Sequence, residues 1–392
     1  MMYRILLNIF IFFTFFPYIQ VIYIPGTGDT QPFSILFAFF VCFTYLLKTK
    51  SFSVPKIYII PLIVFFFSLI VFLFSTFSTE AAIRSLVGYL SLFLIGVATH
   101  IYLKENNGIS DKYIKTVILI WFIVGAIQTF VYPNFLAFLL PRASTTFSRG
   151  VVGLATEPSY YGTVGVFLFF YSLFKLKSLK YTLLTLFQII IFAQSALAIL
   201  LLLVFLLVYL IVQRKFIILG IMILLIFTSS TFFLSINSTS RAVILAQRAF
   251  VQDPTMIFKA DASLNERLGA IYFSVKGFFL HYGAPALFES YYQYMTAEGP
   301  KQDFFIANSA ERIMSGYGAV LFELGVVGLL IPFIFHVAIL KFFRGYRRWQ
   351  IIVSTCFILL MFTPVPIALP YVSFFFSFLI HENYNAKQTL IN

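Results

Sequence analysis

Arg149 and Glu157 lie in the stretch Phe147-Ser-Arg-Gly-Val-Val-Gly-Leu-Ala-Thr-Glu-Pro-Ser-Tyr-Tyr-Gly162, an otherwise uncharged segment that runs straight into a long apolar one. Ionised groups beside an oily run are costly to keep unless they are paired or used. A guanidinium stays charged and grips phosphate oxygens through parallel hydrogen bonds, and a carboxylate can take a hydroxyl proton. Phosphate binding with proton transfer is the chemistry these residue types suggest. Arg142, Arg241, Arg248 and Arg267 fall on segments that share one side of a membrane in the layout the loop charges favour, and a lipid pyrophosphate is the natural guest of such a set. Arg149 and Arg267 are the expected clamp, with Arg142, Arg241 and Arg248 as second candidates. The plainer reading of each arginine is a snorkelling or salt-bridged surface group.

Glu157-Pro158 has the form of a helix start, with Pro at the first helical position and a capping residue before it. Glu157 is thus either a plain cap or a general base at the membrane mouth. Tyr160, Tyr161 and the run Tyr291-Tyr-Gln-Tyr294 are candidates to stack on sugar rings, although aromatics are equally common at membrane interfaces. His281, beside Gly283, is a candidate hydroxyl-binding or acid/base group, or a structural histidine. The four histidines, His100, His281, His336 and His381, show no ligand spacing, so no metal and no cofactor are expected. An Asp-x-Asp pair, a phosphate-cradling glycine loop and a Gly-x-Ser-x-Gly elbow are all missing, which argues against soluble nucleotide donors.

The elements that must position these groups follow from composition. The chain has 392 residues, of which 61% are hydrophobic, 20% aromatic and only 10% charged. A soluble domain is closer to about half apolar and about a quarter charged. The fold class expected is an all-α polytopic membrane protein forming a single transmembrane domain over 1–392. A span needs roughly 20 apolar residues. Runs near that size lie at 5–24, 33–47, 57–76, 85–103, 113–132, 160–174, 216–235, 319–340, 350–363 and 367–380, and the charge-free stretch 181–212 is assigned as a hairpin of two short helices around Gln194-Ser195. That makes 12 spans with both termini cytoplasmic. Cytoplasmic loops carry the Lys/Arg excess, and this layout gives +14 inside and −1 outside out of the net +13. The basic excess therefore reports on topology and no nucleic-acid partner is expected. Cys42 and Cys356 sit in apolar runs as packing residues.

Two outer segments are too long to be mere connections, 133–159 and 236–318. Within the second, Leu268 to Leu280 is too short to cross and is expected to lie in the interface or dip back toward the bundle.

Four places resemble the O-antigen polymerases of the Wzy type, which share a fold with the O-antigen ligases. Arg149-Gly150 followed by Glu157-Pro158-Ser159 is similar to the family's outer-loop motif. Gln194-Ser195-Ala-Leu-Ala-Ile-Leu resembles its Ser-containing turn, and Asn265-Glu-Arg267 with Tyr282-Gly283 its second-loop arginine segment. Leu321-Phe-Glu323-Leu-Gly325-Val-Val-Gly328 resembles its Leu-x-Glu-x-Gly-x-x-Gly helix start. Met314-Ser315-Gly316 stands where ligases carry a His, which favours a polymerase. The resemblance implies metal-independent transfer of a growing glycan from undecaprenyl pyrophosphate to an incoming lipid-linked repeat unit. This would occur on the outer face of a bacterial inner membrane. Its implied partners are undecaprenyl-pyrophosphate-linked glycans, membrane lipid and a chain-length regulator. Rival readings are an O-antigen ligase-like transferase, a lipid-linked oligosaccharide flippase and a membrane acyltransferase. A flippase should show related halves and midplane polar groups, and the acyltransferase a catalytic His within a span.

Overall fold

The computed structural model describes residues 2–22, 29–51, 54–75, 80–145, 149–222, 262–286, 288, 290–299 and 313–388. Among them every regular element is a helix. The order is α1 (Met2–Phe15), α2 (Phe33–Thr49), α3 (Ile59–Phe74), α4 (Glu80–Glu105), α5 (Asp111–Phe130), α6 (Pro158–Tyr171) and α7 (Leu179–Phe187). Next come α8 (Ala196–Val212), α9 (Ala262–Leu280), α10 (Ser290–Glu298), α11 (Gly316–Gly328), α12 (Leu330–Phe342), α13 (Arg347–Phe362) and α14 (Pro370–Gln388).

Among the described residues three helices are long and apolar enough to cross a bilayer: Lys56–Phe74, Ala82–Glu105 and Asp111–Phe130. The pair α11 and α12 joins them if counted as one bent span. These apolar helices mark a membrane-associated helical protein. On α3, Ile59, Ile63, Phe66, Ile70 and Leu73 recur at helical spacing and are 49–72% exposed. An apolar stripe of that kind is tolerated against hydrocarbon and is a liability in water. α4 lies at the centre of the bundle, packed between α2, α3 and α14. Its Gly96 lets Tyr58 approach to 3.2 Å of where a Cβ would stand, and Ser377 on α14 donates to the Gly96 carbonyl at 2.8 Å.

Three expectations change. The first apolar run does not make one helix over 5–24: α1 stops at Phe15, because a residue before Pro17 is pushed out of the helical region. The chain then runs beside the segment that follows α5, where the Gln20 amide donates to the Leu139 carbonyl at 2.7 Å. The run 319–340 is broken as well. Gly325 adopts φ +59, and α11 and α12 meet at 94°. Thirdly, the stretch beginning at Leu268 belongs to α9, which is 19 residues long and starts at Ala262. The division of 181–212 holds: α7 and its wider continuation Gln188–Ala193 end at Gln194 in the left-handed region, and Ser195 caps α8 by accepting from the Ala198 amide. Of the expected span 216–235, only 216–222 are described.

Charges gather at the two ends of the helices. Lys48 meets Glu105 where α2 and α4 end, and Lys175 meets Glu382 beyond α6 and late in α14. Asp29, Arg142, Glu157 and Arg267 meet at the opposite end, where α2 and α6 begin.

Candidate functional site

The backbone from Gly150 to Pro158 is held by close contacts. Gly150 lies so close to the Phe192 and Ala193 carbonyls that a Cβ would come within 2.3 Å of both oxygens, and the Val151 amide donates to Phe192 at 2.9 Å. Buried Gln128 of α5 accepts from the Gly153 amide and donates to its carbonyl, 2.7 and 2.9 Å. Gly153 adopts φ +60, which favours glycine, and a Cβ there would stand 2.7 Å from the Tyr161 ring. A backbone clamped this way sets the position of the extended Glu157 and of Pro158, the first residue of α6.

Glu157 stands at the cap position, yet its side chain makes no capping bond. Its carboxylate instead gathers three side chains, two from nearby in the chain and one, Arg267, from far along it. Arg142 bonds one oxygen at 3.0 Å, the Arg267 guanidinium lies 3.9 Å from the other, and Ser159 Oγ donates to that second oxygen at 3.2 Å. Arg267 also donates to Ser159 Oγ at 3.3 Å. Arg142 grips Asp29 with two bonds, 2.7 and 3.1 Å, and this pairing raises its pKa from an already high value. Glu157 and Arg267 are about one fifth exposed, whereas Arg142 is 55% exposed. Such pairs add little stability, about 0–1 kcal/mol each. Their consequence is orientation, with two guanidiniums aimed at one small space at the mouth of the bundle.

Of the residues singled out from sequence, Glu157, Arg267 and Arg142 are brought together. Arg142, placed second from sequence, is the arginine paired with Glu157 beside Arg267. Arg149 is half-buried where the loop docks on the turn before α8. Arg241 and Arg248 lie outside the described residues. Tyr160 stacks on Tyr18 at 5.7 Å near the cluster. Tyr161 is a correction: fully buried, stacked on Trp121 and donating to its carbonyl at 2.9 Å, it is core packing with no face for a sugar. His281 is exposed at the end of α9, with its ring beside Tyr294 and Phe322. Among the described residues no three His, Cys, Asp or Glu side chains gather as metal ligands would.

Sequence reasoning missed Asp29 and the surroundings of Glu323. Asp29 stands on a short connection after α1, and no spacing links it to Arg142, 113 positions away. Glu323 is 5% exposed on α11 and accepts from Ser85 at 2.9 Å and from Tyr89 at 2.5 Å, both on α4. It lies on the wall of a cavity of about 310 Å³ bounded by the starts of α2, α4, α11 and α14. Thr30 and Gln31, next to Asp29 in the chain, line the same cavity. The Leu-x-Glu-x-Gly and Tyr-Gly segments, 40 residues apart, meet here. Gly325 lies so near Gly283 that a Cβ would come within 2.2 Å of its carbonyl oxygen, and the Val326 amide donates to that oxygen at 2.8 Å.

No family model, curated protein or solved structure matches the chain.

Proposed function

We propose that the chain is a membrane-embedded polysaccharide polymerase, a metal-independent glycosyltransferase that joins undecaprenyl-pyrophosphate-linked repeat units on the outer face of a bacterial cytoplasmic membrane. The observation that carries this is the convergence of Arg142 and Arg267, from the two segments expected to lie outside, on Glu157 at one end of an apolar helical bundle. The resemblance of four motifs to Wzy-type polymerases supports it, as does the charge balance of a 12-span layout with cytoplasmic termini.

In this reading the donor pyrophosphate sits on the guanidiniums of Arg142 and Arg267, with Arg149 from the same loop as a further cation. Preorganised positive charge lowers the barrier where negative charge grows on the leaving oxygen. An acceptor sugar hydroxyl attacks the anomeric carbon of the donor glycan, the bond from that carbon to the pyrophosphate oxygen breaks, and undecaprenyl pyrophosphate departs. The hydroxyl proton passes to Glu157, which Ser159 and the two arginines hold in place. Asp29 keeps Arg142 extended before the donor arrives.

Replacement of Arg142 or Arg267 by Ala is expected to collapse the surface-glycan ladder on a gel to single capped repeat units while leaving the protein in the membrane. Normal chain lengths in both variants would overturn the clamp. In a deletion strain, polymer present but unattached would indicate a ligase, and no repeat units on the outer face a flippase.

A further inference from the structure

We propose that the two turns following α8 and α12 form a binding surface for the phosphate headgroup of an anionic phospholipid, at the end of the bundle opposite Glu157. This surface stands apart from the polymerase reading and is compatible with any activity at the other end.

The two turns are far apart in sequence and meet in the fold. Arg348 donates to the Gln213 side-chain carbonyl at 3.0 Å, and Trp349 lies against Tyr209 with ring centroids 5.9 Å apart. Lys215 stands over the Tyr209 ring at 5.4 Å. The contact brings Arg214 and Lys215 together with Lys341, Arg344, Arg347 and Arg348, and all six are exposed. Phe174 touches Phe343 and Trp349, at 5.0 and 5.4 Å between centroids, which places the surface at the end where Lys175 meets Glu382.

These cations differ from the others at that end in having no carboxylate among them. The sequence holds no Asp or Glu between Glu157 and Asp253, and none between Glu323 and Glu382. Among the described residues none of the six makes an ion pair, whereas Lys48 is paired with Glu105 and Lys175 with Glu382. Like charges crowded on one surface repel and weaken the compact state unless an outside anion offsets them.

Two simpler explanations cover only part of the set. The helix dipole favours a cation in the last turn of a helix or just past it, which suits Lys341, Arg214 and Lys215. Arg347 and Arg348 occupy the first turn of α13, where the dipole opposes them. A Lys/Arg excess also orients a chain during membrane insertion wherever it lies within a loop, and that role does not require two turns to converge.

The kind of anion follows from what the surface adjoins. Leu200, Leu203, Leu207 and Ile211 recur at helical spacing along α8, are 40–55% exposed, and lead directly to Arg214 and Lys215. Leu340 and Tyr346 are exposed beside the other turn. An apolar stripe that ends in a basic turn fits a ligand with a hydrocarbon chain and a phosphate at its head. Tyr209 and Trp349, at the junction of the two, are the aromatic types that settle at headgroup level.

The test uses the chain's own tryptophans. Of the two, Trp121 is fully buried in the core and Trp349 adjoins the surface. The full chain is reconstituted in phosphatidylcholine vesicles that contain a minor fraction of phospholipid brominated on its acyl chains, and the bromines quench a tryptophan they touch. At equal mole fraction, brominated phosphatidylglycerol is expected to be preferred over brominated phosphatidylcholine at Trp349 about tenfold, and the preference to fall as salt rises. Arg347→Gln combined with Arg348→Gln is expected to abolish the preference, since each cation near a membrane surface contributes about fivefold in affinity. Arg347→Lys with Arg348→Lys is expected to keep it, and so is Lys48→Gln, which removes a charge elsewhere at the same end. Equal quenching by the two lipids, a preference untouched by salt or by the double Gln variant, or an equal loss in Lys48→Gln overturns the surface. Relief of the quenching by soluble glycerol phosphate would show a site for a free phosphate ester and overturn the lipid assignment.

Discussion

Glu157 and Glu323 are the same residue type at the same end of the bundle, and they differ in burial and in the groups seen to reach them. Glu157 is partly open and faces guanidiniums, Arg142 at 3.0 Å and Arg267 at 3.9 Å. Glu323 is nearly sealed, with hydroxyls from Ser85 and Tyr89 on its oxygens. An exposed ion pair contributes little to folding and is easily rearranged by an arriving anion. A buried carboxylate with satisfied donors is part of the architecture, since removing it strands those donors. The contrast teaches that, in the proposed reading, Glu157 is placed to change partners, whereas Glu323 is held as part of the fold.

The sharpest way to break that contrast is to measure activity and stability together. Glu157→Gln is expected to lower polymer formation from purified lipid-linked repeat units on the order of 10²–10⁴-fold, with unchanged thermal stability. A wild-type rate would make Glu157 only a helix-start residue. Glu323→Ala is expected to show the reverse emphasis in stability. Stranding Ser85 and Tyr89 should cost about 1–3 kcal/mol for each unpaired donor, read as a lower midpoint of thermal unfolding in detergent. An unchanged midpoint would mean that Glu323 is not an architectural carboxylate.

Finer changes test the cation side. Arg142→Lys keeps the charge but loses the two-pronged grip on Asp29, so about a fivefold drop in kcat/KM for the lipid-linked donor is expected, between wild type and Arg142→Ala. Full activity would show that plain charge suffices. Asp29→Asn should have the smallest effect, a rise in donor KM of less than about fivefold with kcat unchanged. A large fall in kcat would instead give Asp29 a direct part in the reaction.

Much of this was legible in the chain. The apolar runs announced the helices, since α2, α5 and α13 begin and end within a few residues of the expected spans. Local rules also fixed the start of α6, where Pro158 can only be a first helical residue, and the reversal at Gln194-Ser195, where a hydroxyl caps α8. The bend at Gly325 was not legible, because a glycine inside an apolar run gives no warning of its own. The Gly283 carbonyl, brought against it by the fold, occupies the place a side chain would need.

The site divides in the same way. Residue types alone determined that Arg142, Arg149, Glu157 and Arg267 stood in unusually oily surroundings, because an ionised group near hydrocarbon is costly wherever the chain takes it. Only the tertiary structure decided that Arg142 and Arg267 meet at Glu157, that Asp29 holds Arg142, and that Tyr161 turns into the core against Trp121. Those outcomes depend on how helices far apart in sequence pack together. A contact such as Arg142 with Asp29, 113 positions apart, leaves no periodicity for local reading to find.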